Sequence, residues 1–151
     1  MSSYLVWRLL HFVGILGFAA GHGVSAAVTL RLGREREPAR LQALLDLSRS
    51  TRAISDGSLL LIVVSGVANW FLVDYPSGTG WLWASVAVLV VLAIGGVALA
   101  VPHFRRIRRA LAEGDAAVLD TLLASSLPWV VFALETGGTL VIVWLMVYKP
   151  F

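Results

Sequence analysis

Apolar residues gather in four long runs, at about residues 4–30, 54–73, 81–102 and 122–148, separated by short polar stretches. Each run is near the ~20 residues that an α-helix needs to cross a bilayer. The pattern predicts an all-α integral membrane protein, a four-helix bundle in a single transmembrane domain spanning residues 1–151. Inside the first run the polar and small positions are not scattered. An α-helix turns about 100° and rises about 1.5 Å per residue, so positions eleven apart lie within about 20° of each other and about 16 Å apart along the axis. His11 and His22 stand in this relation. The same wheel brings Tyr4, Trp7, Arg8, Gly14, Phe18, Gly21, Ser25 and Thr29 near them. Leu9, Val13, Leu16, Ala20, Val24 and Ala27 fall on the opposite side. The polar and small face is expected to meet the rest of the protein, and the aliphatic face lipid or a partner subunit.

The polar stretches carry direction. After the first run come Arg31, Arg34, Arg36, Arg40, Arg49 and Arg52, and Pro38 is expected to start a short amphipathic helix marked by Leu41, Leu44, Leu45 and Leu47. The third run is expected to end at His103 and the cluster Arg105, Arg106, Arg108 and Arg109. Ten of the twelve basic residues lie in these two loops, which places both loops in the cytoplasm and both termini outside. Asp74 to Gly80 reads as a tight turn, with Tyr75 and Trp70 at the outer interface. Pro38-Ala39-x-Leu41-x-x-Leu44-Leu45 and Ala116-Ala117-x-Leu119-x-x-Leu122-Leu123 resemble one another. The likeness leaves two readings open: a design from two repeated helical hairpins, which would be related by an axis along the membrane normal, or two amphipathic basic loops that are alike by chance.

Composition agrees with the pattern and removes several chemistries. The chain is 58% hydrophobic and 14% charged, with a mean hydropathy of +0.84. It has no cysteine, which rules out disulfides, thiolate metal sites and cysteine nucleophiles. The pI near 10 comes from arginines placed as topology signals, where they meet anionic lipid headgroups, so nucleic acid is not an expected partner. The first run is too long for the core of a signal peptide and carries two histidines; it is expected to stay as a helix. No hydrolase elbow, phosphate loop, nucleotide fingerprint or paired-carboxylate cluster is present.

Ionisable residues inside a bilayer are costly, so the few present are candidates for function. They are Arg8, His11, His22 and Glu135, with Asp56 and His103 near the cytoplasmic edge. His11 and His22 have the chemistry of haem or metal ligands, and Gly14 and Gly21 beside them give a flat macrocycle or a neighbouring helix access to the backbone. The competing reading is a histidine hydrogen-bonded to an adjacent helix, and Gly17-x-x-x-Gly21 is a close-packing motif in its own right. Glu135, counted near mid-depth, can stay protonated, relay protons or pair with a cation such as Arg8 or an imidazolium; relay or pairing is the favoured role. Asp56 is expected to cap the second span and His103 to end the third.

Trp7-Arg8-Leu-Leu-His11-x-x-Gly14, followed by Gly21-His22-Gly23, resembles the opening helix of small four-helix bacterial membrane proteins related to the copper resistance D family. The arginine-rich first loop, Ser65-Gly66 in the second span and a glycine-rich fourth span belong to the same resemblance. A histidine matching His11 also occurs in the haem-binding, membrane-type protoporphyrinogen oxidases, which are distantly similar in this helix. The resemblance implies a multi-pass protein of the bacterial inner (cytoplasmic) membrane and a haem b held by His11 or His22. Their ~16 Å separation prevents both from ligating one iron. Met1 and Met146 are the only methionines, so a methionine-rich copper site is not available. Three readings stand at this point: a haem-b-binding or quinone-associated redox component, a copper or solute transport component, and a non-catalytic subunit within a larger membrane complex or homo-oligomer.

Overall fold

In the computed structural model, which describes residues 3–73 and 79–150, the chain is all-α. Its elements are α1 (Ser3–Leu32), α2 (Pro38–Leu72), α3 (Gly80–Gly95), a π-helical turn (Gly96–Ala100), α4 (Val101–Glu113), α5 (Ala116–Leu123) and α6 (Leu127–Tyr148). Among the described residues, four helical stretches are long and apolar enough to cross a membrane: Ser3–Leu32, Pro38–Leu72, Gly80–Glu113 and Ala116–Tyr148. Their outward residues are aliphatic and aromatic, with Leu16 70%, Phe71 80% and Val91 69% exposed. Such a surface is stable against hydrocarbon and unstable against water. The expected turn at Asp74 and Tyr75 lies in residues 74–78, outside the described residues.

The chain forms two units, the first built on α1 and α2 and the second on α3 to α6 with the linker Gly33–Pro38. In the first, α1 and α2 run antiparallel. Gly21 packs on Ser55, Gly17 on Ser58, Gly14 on Ser58 and Ile62, and His11 on Ser65 and Gly66. The contact line of α1 is Trp7, His11, Gly14, Phe18, Gly21, Ser25, Val28 and Leu32, alternating steps of four and three. In α2 it is Thr51, Ser55, Ser58, Ile62, Ser65 and Asn69, with the same steps. This is a coiled-coil spacing filled with small residues, as lipid-embedded helices need when packing rather than water drives association. Two hydroxyls in the line are satisfied by their own helix: Thr51 donates to the Leu47 carbonyl at 2.8 Å and Ser55 to that of Thr51 at 3.3 Å.

In the second unit α3 and α6 are antiparallel: Lys149 Nζ lies 5.3 Å from the Trp81 ring, and Gly138 meets the Leu92 side chain. The buried residues of α4, His103, Ile107 and Ala110, share one face opposite the exposed Arg105, Arg106 and Arg109. Gly114 ends α4 at φ 69°, a left-handed conformation that glycine adopts without strain. Asp115 then caps α5, its carboxylate accepting the Val118 N–H at 3.1 Å.

Three expectations change at the loops. The short amphipathic helix at Pro38 and the second span are one helix of 35 residues, because nothing between Ser48 and Ile54 breaks it. The third helical stretch does not end at His103 but runs on to Glu113. Before the fourth span the chain does break, at Ala124–Ser126, where Ser125 Oγ accepts the Leu127 N–H at 3.2 Å and Pro128 sits in the first turn of the next helix. The two similar leucine-rich stretches therefore differ in structure: the first runs straight into a span, and the second stands apart as α5.

Candidate functional site

The histidine stripe of α1 lies on the packed side of the helix. Gly14 and Gly21 are buried, while His11, Phe18, His22 and Ser25 are half-buried. Leu9, Val13, Leu16 and Val24 are exposed on the other side. The glycines are there because α2 is close. A Cβ at Gly14 would meet main-chain atoms of α2, the Ile62 nitrogen and the Ser58 oxygen, both at 3.1 Å.

One turn before Gly14, His11 is locked to α2. Its Nδ1 lies 3.0 Å from the Ile62 carbonyl oxygen and 3.1 Å from Ser65 Oγ. A carbonyl only accepts, so Nδ1 carries the proton. Ser65 turns its own hydroxyl hydrogen towards the Leu61 carbonyl, leaving Oγ to accept from the same imidazole N–H. The tautomer is thereby fixed, with the lone pair on Nε2. Gly66 makes room for the ring, since a Cβ there would lie 3.5 Å from His11 Cε1. A backbone carbonyl on Nδ1 with Nε2 available is also the arrangement that orients a ligating histidine.

His22 is held differently. Its ring stacks on Phe18, one helical turn earlier, with centroids 6.1 Å apart and planes 11° from parallel. Arg8 is exposed, its guanidinium carbon 6.0 Å from the Phe12 ring centroid. Glu135 belongs to the second unit, half-buried on α6 and seated on Gly96 of the π turn, where a Cβ would fall 2.6 Å from its Oε1. Asp56 does not cap the second span. It is internal to α2 and pairs with Arg52 at 3.6 Å, because the helix has already begun at Pro38. His103 is 6% exposed inside a continuous helix, and its Nε2 has no hydrogen-bond partner among the described residues. Among those residues no group of three or more His, Cys, Asp or Glu comes together as a metal cage.

Reading the sequence missed the α2 half of the His11 site, Ile62 and Ser65. The signal was available in the alternating four-and-three spacing from Thr51 to Asn69. The π turn left no such signal beyond the pair Gly95-Gly96.

Four apolar helices, a nearly charge-free interior and small-residue packing between helices define a multi-pass integral membrane protein. Residues 5–150 match the family described as DUF2269, predicted integral membrane protein, and the chain belongs to that family. The match is to neither the copper resistance D family nor the protoporphyrinogen oxidases. No curated protein and no solved structure matches the chain.

Proposed function

We propose that this protein is a redox component of a cell membrane that binds haem b through His11 Nε2. The observation that carries the reading is the hydrogen bond from His11 Nδ1 to the Ile62 carbonyl, at 3.0 Å. It fixes the ring plane and the tautomer that ligation requires. The residues present fit the group: one imidazole with its tautomer fixed from behind, and Gly66 leaving room for the ring. Haem ligated by a single histidine supplies one-electron chemistry and an open coordination position for a small molecule. His11 would hold the iron, Ile62 and Ser65 would hold His11, and His22 is the second candidate ligand, too far along the helix to share the same iron.

Absorption spectroscopy of protein purified from haem-replete cells tests this directly. A Soret band is expected, lost in His11→Ala and kept in Ser65→Ala, because Ile62 still orients the imidazole in the latter. Circular dichroism of each variant separates loss of the cofactor from loss of the fold. A colourless, fully helical wild-type preparation overturns the proposal, and His11 is then an interhelical tie in a packing subunit.

A further inference from the structure

The densest charge in the chain lies on α4, where Arg105, Arg106, Arg108 and Arg109 follow one another almost without interruption. Glu113 is the one acidic residue of that helix, and it accepts a hydrogen bond from Arg109 Nε at 2.8 Å. Arg105 and Arg106 are exposed, and among the described residues no acidic group pairs with either. The acids of the neighbouring α5 are engaged elsewhere: Asp115 caps its own helix, and Asp120 pairs with Arg36 at 3.6 Å. Arg109 stands four residues from Arg105 and three from Arg106, and like charges at these spacings on a helix repel. The arginine-rich stretch after α1 differs, because Glu35, Glu37 and Asp46 are mixed into it. On α4 the repulsion is left for an anion from outside the chain to offset.

Depth and direction choose the anion. The apolar stretch from Trp81 to Pro102 rises about 33 Å, slightly more than the ~30 Å of hydrocarbon in a bilayer. With this stretch across a membrane, Arg105 and Arg106 follow the hydrocarbon by about one helical turn, at the depth of lipid phosphates. His103, Ile107 and Ala110 are buried on the opposite face and fix the rotation of α4, so these arginines face away from the protein. Side chains on a helix tilt towards its N-terminus, and the N-terminal end of α4 is the one that meets the membrane. The tilt is therefore towards the bilayer. All four residues are arginine, whose planar fork holds a phosphate through two N–H groups where a lysine offers a point charge.

We propose that the exposed face of α4, through Arg105 and Arg106, binds the phosphate of an anionic phospholipid in the leaflet that this helix leaves. The headgroup offsets the repulsion among the arginines and holds α4 and α5 at the membrane surface. A zwitterionic lipid carries its own cation beside the phosphate and offsets less. The site goes beyond the haem reading and does not depend on it: His11 lies in the first unit and α4 in the second, and a colourless preparation leaves the lipid site untouched.

Titrating the full chain in detergent with phosphatidylglycerol, and separately with phosphatidylcholine, tests this, with bound lipid counted by native mass spectrometry. Phosphatidylglycerol is expected to bind the more tightly and to raise the unfolding temperature. At about fivefold per arginine, the pair Arg105→Gln, Arg106→Gln should weaken its binding about thirtyfold. The pair Arg34→Gln, Arg49→Gln removes the same charge from exposed positions in the first basic stretch and should bind as the wild type does. Circular dichroism checks that each variant stays helical, and the comparison of the two lipids on wild-type protein needs no variant. Equal binding of the two lipids overturns the proposal. So does an equal loss in both variant pairs, which would make the attraction one of net charge. Inorganic phosphate that displaces the lipid at equal concentration would mean a free-anion site, and overturns it too.

Discussion

Gly21 and Val24 lie three residues apart on α1 and meet opposite surroundings. A Cβ at Gly21 would run into the Ser55 hydroxyl and approach the Ser55 Cβ at 3.3 Å and Cα at 3.6 Å. A serine hydroxyl can rotate away from one methyl group, but the α2 main chain cannot retreat from a leucine without parting the helices. Val24 is exposed and has no such neighbour to displace. Gly21→Leu is therefore expected to cost at least the ~1–3 kcal/mol typical of overpacking. Val24→Leu should stay within about 0.5 kcal/mol, as surface substitutions do. Thermal unfolding in detergent measures both, and equal losses would mean that the opposite face of α1 is packed. This residue-scale property was legible before the structure, because the wheel needs only the period of an α-helix. The partner of His11 was not legible. Which carbonyl and which hydroxyl meet an imidazole depends on the register between two helices, and one residue of slip would move Ser65 out of reach.

At the scale of elements, the sequence announces apolar spans more clearly than helix ends. Hydropathy marks where a helix leaves hydrocarbon, whereas the helix itself ends only where backbone hydrogen bonds find other partners. Ser48 to Ile54 is polar enough to look like a loop, yet it holds neither proline nor glycine, and α2 runs through it. Around Ala124 the opposite holds: a serine pair and Pro128 supply competing local bonds and a missing donor, and the helix stops. The continuity of α2 has a direct test. Ser50 is exposed, so a proline there disturbs little packing; it removes one helical N–H and its ring clashes with the Asp46 carbonyl. In a continuous helix Ser50→Pro should cost about 3 kcal/mol. A loss below about 0.5 kcal/mol in the same thermal assay would show that the amphipathic and membrane parts of α2 are separate helices.

For the whole molecule, direction across the membrane is set by charge, because helix geometry alone does not carry it. Four crossings place both termini on one side, and the charges choose which. Arg31, Arg34, Arg36, Arg40, Arg49 and Arg52 follow the first span, and Arg105, Arg106, Arg108 and Arg109 follow the third. The other ends of the spans carry Arg8 and Lys149 alone. A basic loop is held in the cytoplasm during insertion, and the bias here is ten to two, within short loops where the rule is strongest. The structure adds a reason for these arginines to stay at a surface: on α4, Arg105, Arg106 and Arg109 are exposed opposite the buried His103, Ile107 and Ala110. That face suits anionic headgroups, and sinking it into hydrocarbon would bury several charges at once. Reporter fusions at Gly33 and Gly114 are therefore expected to read cytoplasmic, and a fusion after Phe151 external. Replacing Arg105, Arg106, Arg108 and Arg109 together with glutamine should weaken this preference, giving a mixed reading at Gly114. Cytoplasmic readings at Gly33, Gly114 and the wild-type C-terminus together would mean that the fourth helical stretch does not cross, and would end the four-span topology.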